Sequence, residues 1–222
     1  MSLRSTNIAK IRGGDFDVLI VGGGINGAVS AAALASRGAR VAMVDRGDFA
    51  GFTSMQSSNL VWGGFKYMEN YELPLVRHLC MSRNRLIKAY PANLKEIRFL
   101  AALDEHSPYM PWFAGLGSTA YWAIGNFFTK PPKVYSRQRL HKAEPAIDMD
   151  GVQGGIEYSD AYVVDNDSRF VFQFVRSALN VGADCANYVE LTNATRDARG
   201  WRAELTDTDS GETFECTARV IV

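Results

Sequence analysis

Cysteine, histidine and net charge are all scarce in this chain, and each shortage excludes a class of function. The 222 residues hold three cysteines and three histidines. Cys80, Cys185 and Cys216 are far apart and odd in number, so they form no disulfide framework. That pattern predicts a reducing compartment, the cytoplasm. His78, His106 and His141 are just as scattered, which leaves no cluster with metal-ligand spacing. Lysine and arginine total 24 and are matched by 24 acids, so no overall charge attracts nucleic acid. Apolar runs are short. Met1 to Gly14 is polar and lacks the apolar core of a signal peptide. Met1-Ser2-Leu3 reads as an expression remnant and carries no structural weight.

What is present is organised around residues 15–46. Asp15 to Val21 reads as a buried strand, Gly22-Gly23-Gly24-Ile25-Asn26-Gly27 as a glycine turn opening a small-residue helix, and Asp45-Arg46 as the end of a second strand. This is the order of a dinucleotide-binding fingerprint. Gly22 permits the tight turn, Gly24 lets a pyrophosphate approach the backbone, and Gly27 lets the helix pack on the sheet. Amides of Ile25, Asn26 and Gly27 would face the phosphates with the positive end of the helix dipole. Asp45 lies 18 residues beyond Gly27 and would accept from a ribose hydroxyl. A carboxylate there would repel the 2′-phosphate of NADP, which leaves NAD or FAD.

Further along, periodicity and breakers predict helices at 26–37, 72–90 and 167–181, and strands at 40–44, 96–103 and 154–160. Three more strands follow at 188–196, 201–207 and 213–217, the last two joined by an Asp209-Ser210-Gly211 turn. Residues 48–70 read as an extended loop with a short helix. In the second helix Leu73, Val76, Leu79, Leu86 and Ile87 form the inward stripe, and His78 beside it reads as a packing histidine. Arg77, Arg83, Arg85, Lys88, Lys95 and Arg98 read as a solvated basic face.

Ser107 to Thr129 carries no charged side chain but holds Trp112, Tyr121, Trp122, Phe127 and Phe128. Its prolines, glycines and hydroxyls argue against a membrane span. It reads first as a buried helix. Second, with Lys130, Lys133, Arg137, Arg139 and Lys142 following, it reads as a contact with an anionic membrane surface. Ala218 to Val222 is a strand pattern, apolar to the last residue, from which a truncated chain is expected.

The stretch Thr53-Ser54-Met55-Gln56-Ser57-Ser58-Asn59-Leu60-Val61-Trp62-Gly63-Gly64-Phe65-Lys66-Tyr67-Met68-Glu69-Asn70-Tyr71-Glu72 resembles a signature of the FAD-dependent glycerol-3-phosphate dehydrogenases. These belong to the wider glutathione-reductase-like and D-amino-acid-oxidase-like flavoproteins. The match is at Thr53, Ser54, Ser57, Ser58, Leu60, Gly63, Gly64, Tyr67, Glu69, Tyr71 and Glu72, and Gly155-Ile156-Glu157-Tyr158-Ser159-Asp160 resembles a further family strand. Asn59 stands where the family has lysine, Trp62 where it has histidine and Lys66 where it has arginine. Lys66 keeps the charge but loses the bidentate fork. The family's Asp-Asp-Ala-Arg run corresponds to Asp165-Asn166-Asp167-Ser168-Arg169, two residues displaced.

The resemblance implies an α/β fold: a Rossmann-like FAD-binding domain, an interleaved α+β substrate domain and an antiparallel β-meander. It places FAD-binding segments at 12–75 and 166–222 and a substrate or cap segment at 76–165. The expected FAD site is Gly22, Gly24, Ile25, Asn26, Gly27, Asp45, Arg46, Thr53, Ser54, Ser57, Ser58, Asn59, Gly63, Gly64 and Val189. Hydroxyls would meet phosphate and ribityl oxygens, and the two glycines of the second turn would let backbone lie against the flat ring. Lys66 and Tyr67 are the expected catalytic-site residues and would orient the substrate. The implied reaction is oxidation of glycerol 3-phosphate or a related polar alcohol, a small-molecule substrate, by hydride transfer to flavin N5. Peripheral contact with the inner face of a membrane, passing electrons to quinone, is implied with it. Two alternatives stand beside this: a 2-hydroxy acid or amine as substrate, or a non-catalytic FAD-binding fragment.

Overall fold

The computed structural model describes residues 2–222, and they form two compact units. One runs through Ser58 and resumes at Asp165–Val222, and the other is Asn59–Val164. The first break therefore falls at Ser58/Asn59 rather than near residue 75. Its cause is local: Leu60 and Val61 pair with Tyr162 and Ala161, which commits the chain to the second unit from there onward.

The discontinuous unit is built on a six-stranded sheet. β1 (Asp15–Val21) lies between β2 (Val41–Asp45) and β10 (Thr213–Ile221), all parallel, and β7 (Asp184–Asn187) adds a parallel edge beside β2. β8 (Val189–Asp197) and β9 (Gly200–Asp207) extend the other side as antiparallel neighbours. All five residues of β2 are buried because both faces are covered. Ala42 and Val44 point into one core with Phe16 and Leu19. Val41 and Met43 point into the other, against α2 (Ile25–Ala35) and α6 (Asp167–Asn180). The alanines of α2 let it lie flat, and Gly38, at φ +88°, turns the chain after it.

Three expectations are corrected here. The N-terminal stretch is not weightless: Leu3–Ile11 forms α1, capped by Ser2, with Ile8 and Ile11 in the core. Buried Asn7 donates Nδ2 to the Cys185 carbonyl at 2.8 Å, and Arg4 pairs with Asp207 at 2.6 Å. The meander strand and the terminal apolar run are one strand, β10. Its first half pairs antiparallel with β9 and its second half parallel with β1, and no turn residue separates them. The second helix, α3 (Leu73–Ala89), buries Val76, Cys80, Arg83 and Asn84, while Leu73 and His78 are exposed. The stripe is thus rotated from the expected one.

The other unit centres on β6 (Val152–Val163). β4 (Leu94–Asp104) runs antiparallel along one edge, and β3 (Leu60–Val61) and β5 (Lys133–Ser136) share the other. α3, α4 (Pro111–Ile124) and α5 (Arg137–Ala143) pack against this sheet. The expected buried helix is α4, but only one face is covered. Gly115, Ser118 and Tyr121 are inside, while Trp112 and Leu116 are 64% and 60% exposed. No helix among the described residues is long and apolar enough to cross a membrane. The basic stretch after α4 forms β5 and α5, where Lys133 lies opposite Glu157 and Tyr135 opposite Gly155 across the sheet.

Glu157 accepts from Arg98 Nε at 2.6 Å and Tyr135 Oη at 2.5 Å, with Lys133 Nζ at 3.3 Å. Arg98 first, then Tyr135 and Lys133, hold its pKa down at about 2 against desolvation. Because the folded value lies below the unfolded one of 4.5, its stabilisation is full above pH 4.5 and is lost as pH falls toward 2. Glu157→Gln should therefore cost on the order of 2 kcal/mol at neutral pH, a deficit that closes on acidification. Denaturant unfolding at a series of pH values checks this; a deficit independent of pH would contradict it.

Candidate functional site

The glycine turn in the discontinuous unit has the geometry that the fingerprint requires. Gly22 turns off β1 at φ +115°, a region closed to most side chains. A Cβ on Gly27 would sit 1.9 Å from the Gly22 carbonyl oxygen, so no other residue fits without moving backbone. The first intrahelical bond of α2 is Ala28 N–H to Gly24 O, which leaves the amides of Ile25, Asn26 and Gly27 ahead of it. Ile25 donates to Ser54 Oγ at 3.1 Å, and no side chain caps α2 from Gly24.

Asp45 is buried at the end of β2, and its two oxygens accept from Gly23 N–H at 2.6 Å and Gly47 N–H at 2.9 Å. It is therefore a latch on the turn, and each carboxylate oxygen keeps the capacity to take a second bond. Gly22, Asp45, Arg46 and Val189 line one cavity of about 340 Å³ with Phe52. Phe52 was not foreseen. It lies under the Arg46 guanidinium, 5.2 Å from ring centroid to Cζ, and gives the cavity a flat aromatic wall. Gly23, also unforeseen, is required because a Cβ would meet the Phe49 ring at 2.3 Å. Thr53, Ser57 and Ser58 lie exposed on the loop that carries Ser54.

Asn59, Gly63, Gly64, Lys66 and Tyr67 belong to the other unit. Asn59 adopts φ +57° and accepts from Val163 N–H. Gly63 and Gly64 are buried, and the structure gives Gly63 a reason other than a flat ring. A Cβ there would lie 2.0 Å from Tyr121 Oη and 2.6 Å from Arg83 Nη1. Gly64, at φ +85°, starts a 3-10 turn, Phe65–Met68, that presents Lys66 and Tyr67 on the surface.

Lys66 lines a cavity of about 440 Å³ with Phe65, Tyr109, Phe113 and Tyr158. Among the described residues it is the one cation on that wall, where Glu69 also stands, and the rest of the lining is mainly aromatic and apolar. Phe65 stacks on Tyr158 at 4.4 Å between centroids, and burial, with Asp160 nearby, raises the Tyr158 phenol to about 12. Arg83, expected on a solvated face, is 2% exposed. The signal was its spacing, since positions 76, 80 and 83 follow one helical stripe.

The turn, the helix N-terminus and the Asp45 cavity together fit the adenosine diphosphate half of a dinucleotide. The family model for FAD dependent oxidoreductases (DAO) matches residues 17–222. The chain belongs to that family. D-erythritol 1-phosphate dehydrogenase of Brucella abortus is 34% identical over 209 residues, 93% of this chain and 40% of that one. Aerobic glycerol-3-phosphate dehydrogenase of Escherichia coli is 31% identical over 208 residues, again 93% and 40%. A solved structure of glycerol-3-phosphate dehydrogenase from Bacillus halodurans, complexed with FAD, shares the fold. Its TM-score is 0.71 at 20% identity, covering 98% of this chain and 36% of that chain. The chain thus spans about two fifths of the length of the curated relatives it matches.

FAD is accordingly the cofactor of the family to which the chain belongs. Gly27→Ala tests the fit of its turn. The added methyl should cost roughly 1–3 kcal/mol and should abolish flavin retention on purification, read as loss of the flavin absorbance. Normal flavin content in the variant would contradict the placement.

Proposed function

We propose that this protein is an FAD-dependent dehydrogenase of a phosphorylated polyol, glycerol 3-phosphate or a close homologue such as erythritol 1-phosphate. The observation that carries the reading is that relatives at 31–34% identity over 93% of the chain are named for those two substrates. In this reading the discontinuous unit holds FAD at the residues described. The unit Asn59–Val164 contributes to the substrate side. Bound FAD supplies a hydride acceptor for the carbinol carbon. Lys66 pairs its ammonium with the substrate phosphate, and Tyr67 donates its hydroxyl to a substrate oxygen. With lysine in place of a guanidinium fork, the phosphate is held by charge rather than by two parallel hydrogen bonds, which relaxes the demand on substrate length.

A second element concerns the electron acceptor. Trp112, Leu116 and Met110 stand exposed at one end of the unit Asn59–Val164. Phe113 and Tyr109, stacked at 5.5 Å, lead from that surface into the aromatic cavity beside Lys66. An exposed aromatic surface of this kind suits peripheral contact with a membrane, and the cavity suits the ring of a quinone.

The test of the main reading is anaerobic. Glycerol 3-phosphate or erythritol 1-phosphate should bleach the absorbance of the flavin-loaded protein, and Lys66→Ala should raise the concentration needed roughly tenfold or more. Bleaching only by a 2-hydroxy acid or an amine would replace the polyol phosphate with that substrate. A flavin-loaded protein indifferent to all of them would leave the non-catalytic reading.

A further inference from the structure

Behind the turn that carries Lys66 and Tyr67 lies a buried charged cluster. Asp160 in β6 is 0% exposed, and three donors converge on its Oδ1. They are Gly63 N–H at 2.9 Å, Arg83 Nη1 at 2.6 Å and Tyr121 Oη at 2.7 Å. Its Oδ2 is buried without a hydrogen-bond partner. The remaining guanidinium nitrogens of Arg83 turn to Asn84 Oδ1 at 3.2 and 3.1 Å, and Asn84 Nδ2 reaches the Gly125 carbonyl at 2.8 Å. Cys80 Sγ donates to the Gly63 carbonyl at 3.4 Å. Both backbone polar groups of Gly63 are therefore gripped from within, and Tyr121 occupies the space of any side chain there.

This arrangement is a poor way to gain stability. A buried ion pair often does no better than an apolar pair of the same volume, and an oxygen left without a partner makes it worse. It is a good way to hold one backbone position. Immediately after Gly63 the chain passes through left-handed Gly64 into the 3-10 turn, where Tyr67 N–H bonds Gly64 O at 2.9 Å. The height and direction of Lys66 and Tyr67 above the sheet follow from where Gly63 is held.

We infer that Asp160 and Arg83 are positioning residues, which act through Gly63 to set the Lys66–Tyr67 turn. The inference rests on the substrate role proposed for Lys66, and its test has one arm that does not. Asp160→Asn removes the charge while keeping the shape. Hydrogen exchange should quicken roughly tenfold or more at the amides of Gly63 and Tyr67, with the β4–β6 ladder unchanged. In the flavin-loaded protein, kcat/KM for glycerol 3-phosphate should fall by about tenfold in Asp160→Asn, yet less than about twofold when Lys66→Ala is already present.

Should Asp160→Asn fail to fold, the pair Arg83→Met with Asp160→Leu leaves no unpaired charge and carries the same expectations. Unchanged exchange at 63–68 would overturn the inference, as would an activity loss that simply adds to that of Lys66→Ala. A protein inactive toward polyol phosphates would remove the proposed function, and the exchange arm alone would then decide.

Discussion

At Gly27 the start of α2 comes so close to the end of β1 that a methyl group would lie 1.9 Å from the Gly22 carbonyl oxygen. Much of the discontinuous unit follows from this approach. It brings the helix N-terminus to the carboxyl edge of the parallel strands, where its first amides and dipole can meet a pyrophosphate. It also places the turn where Asp45 can reach back to Gly23. The carboxylate of Asp45 then serves two ends of one loop, Gly23 and Gly47, and frames the cavity that Arg46, Phe52 and Val189 complete.

The unit Asn59–Val164 uses a different device for a similar purpose. Its glycine turn is held by an ion pair in the interior rather than by helix packing. A glycine signature thus has two physical origins in one chain. Gly27 is glycine because backbone meets backbone, and Gly63 is glycine because Tyr121 and Arg83 fill the space beside it.

β1 and β2 were legible in the sequence, because each carries an apolar run, 18–21 and 41–44, that packs into the core. The dinucleotide turn was legible for the same reason that it works: its glycines, helix and terminal acid are tied to one another at short range. α1 was not legible. Its contacts are made by Asn7, Arg4 and two isoleucines, with weak periodicity and a polar residue in the core. β5 and α5 were hidden in a basic stretch, and in it Lys133 and Tyr135 find their partner in Glu157, more than twenty residues away in sequence. The join in β10 escaped because one strand changes neighbours without a turn. Arg83 escaped because an arginine on a helix is read as solvated by default, and only its acid on a distant strand makes burial tolerable.

The glycine turn of α2, latched by Asp45, is the proposed seat of FAD in this chain. A crystal structure of the FAD-loaded protein tests that claim most directly. It should show pyrophosphate oxygens within hydrogen-bond distance of amides in Gly24 to Gly27 and a ribose hydroxyl on the Asp45 carboxylate, with Gly22 unmoved. A flavin whose pyrophosphate lies away from that helix N-terminus, or an Asp45 that makes no contact with the ribose, would contradict it.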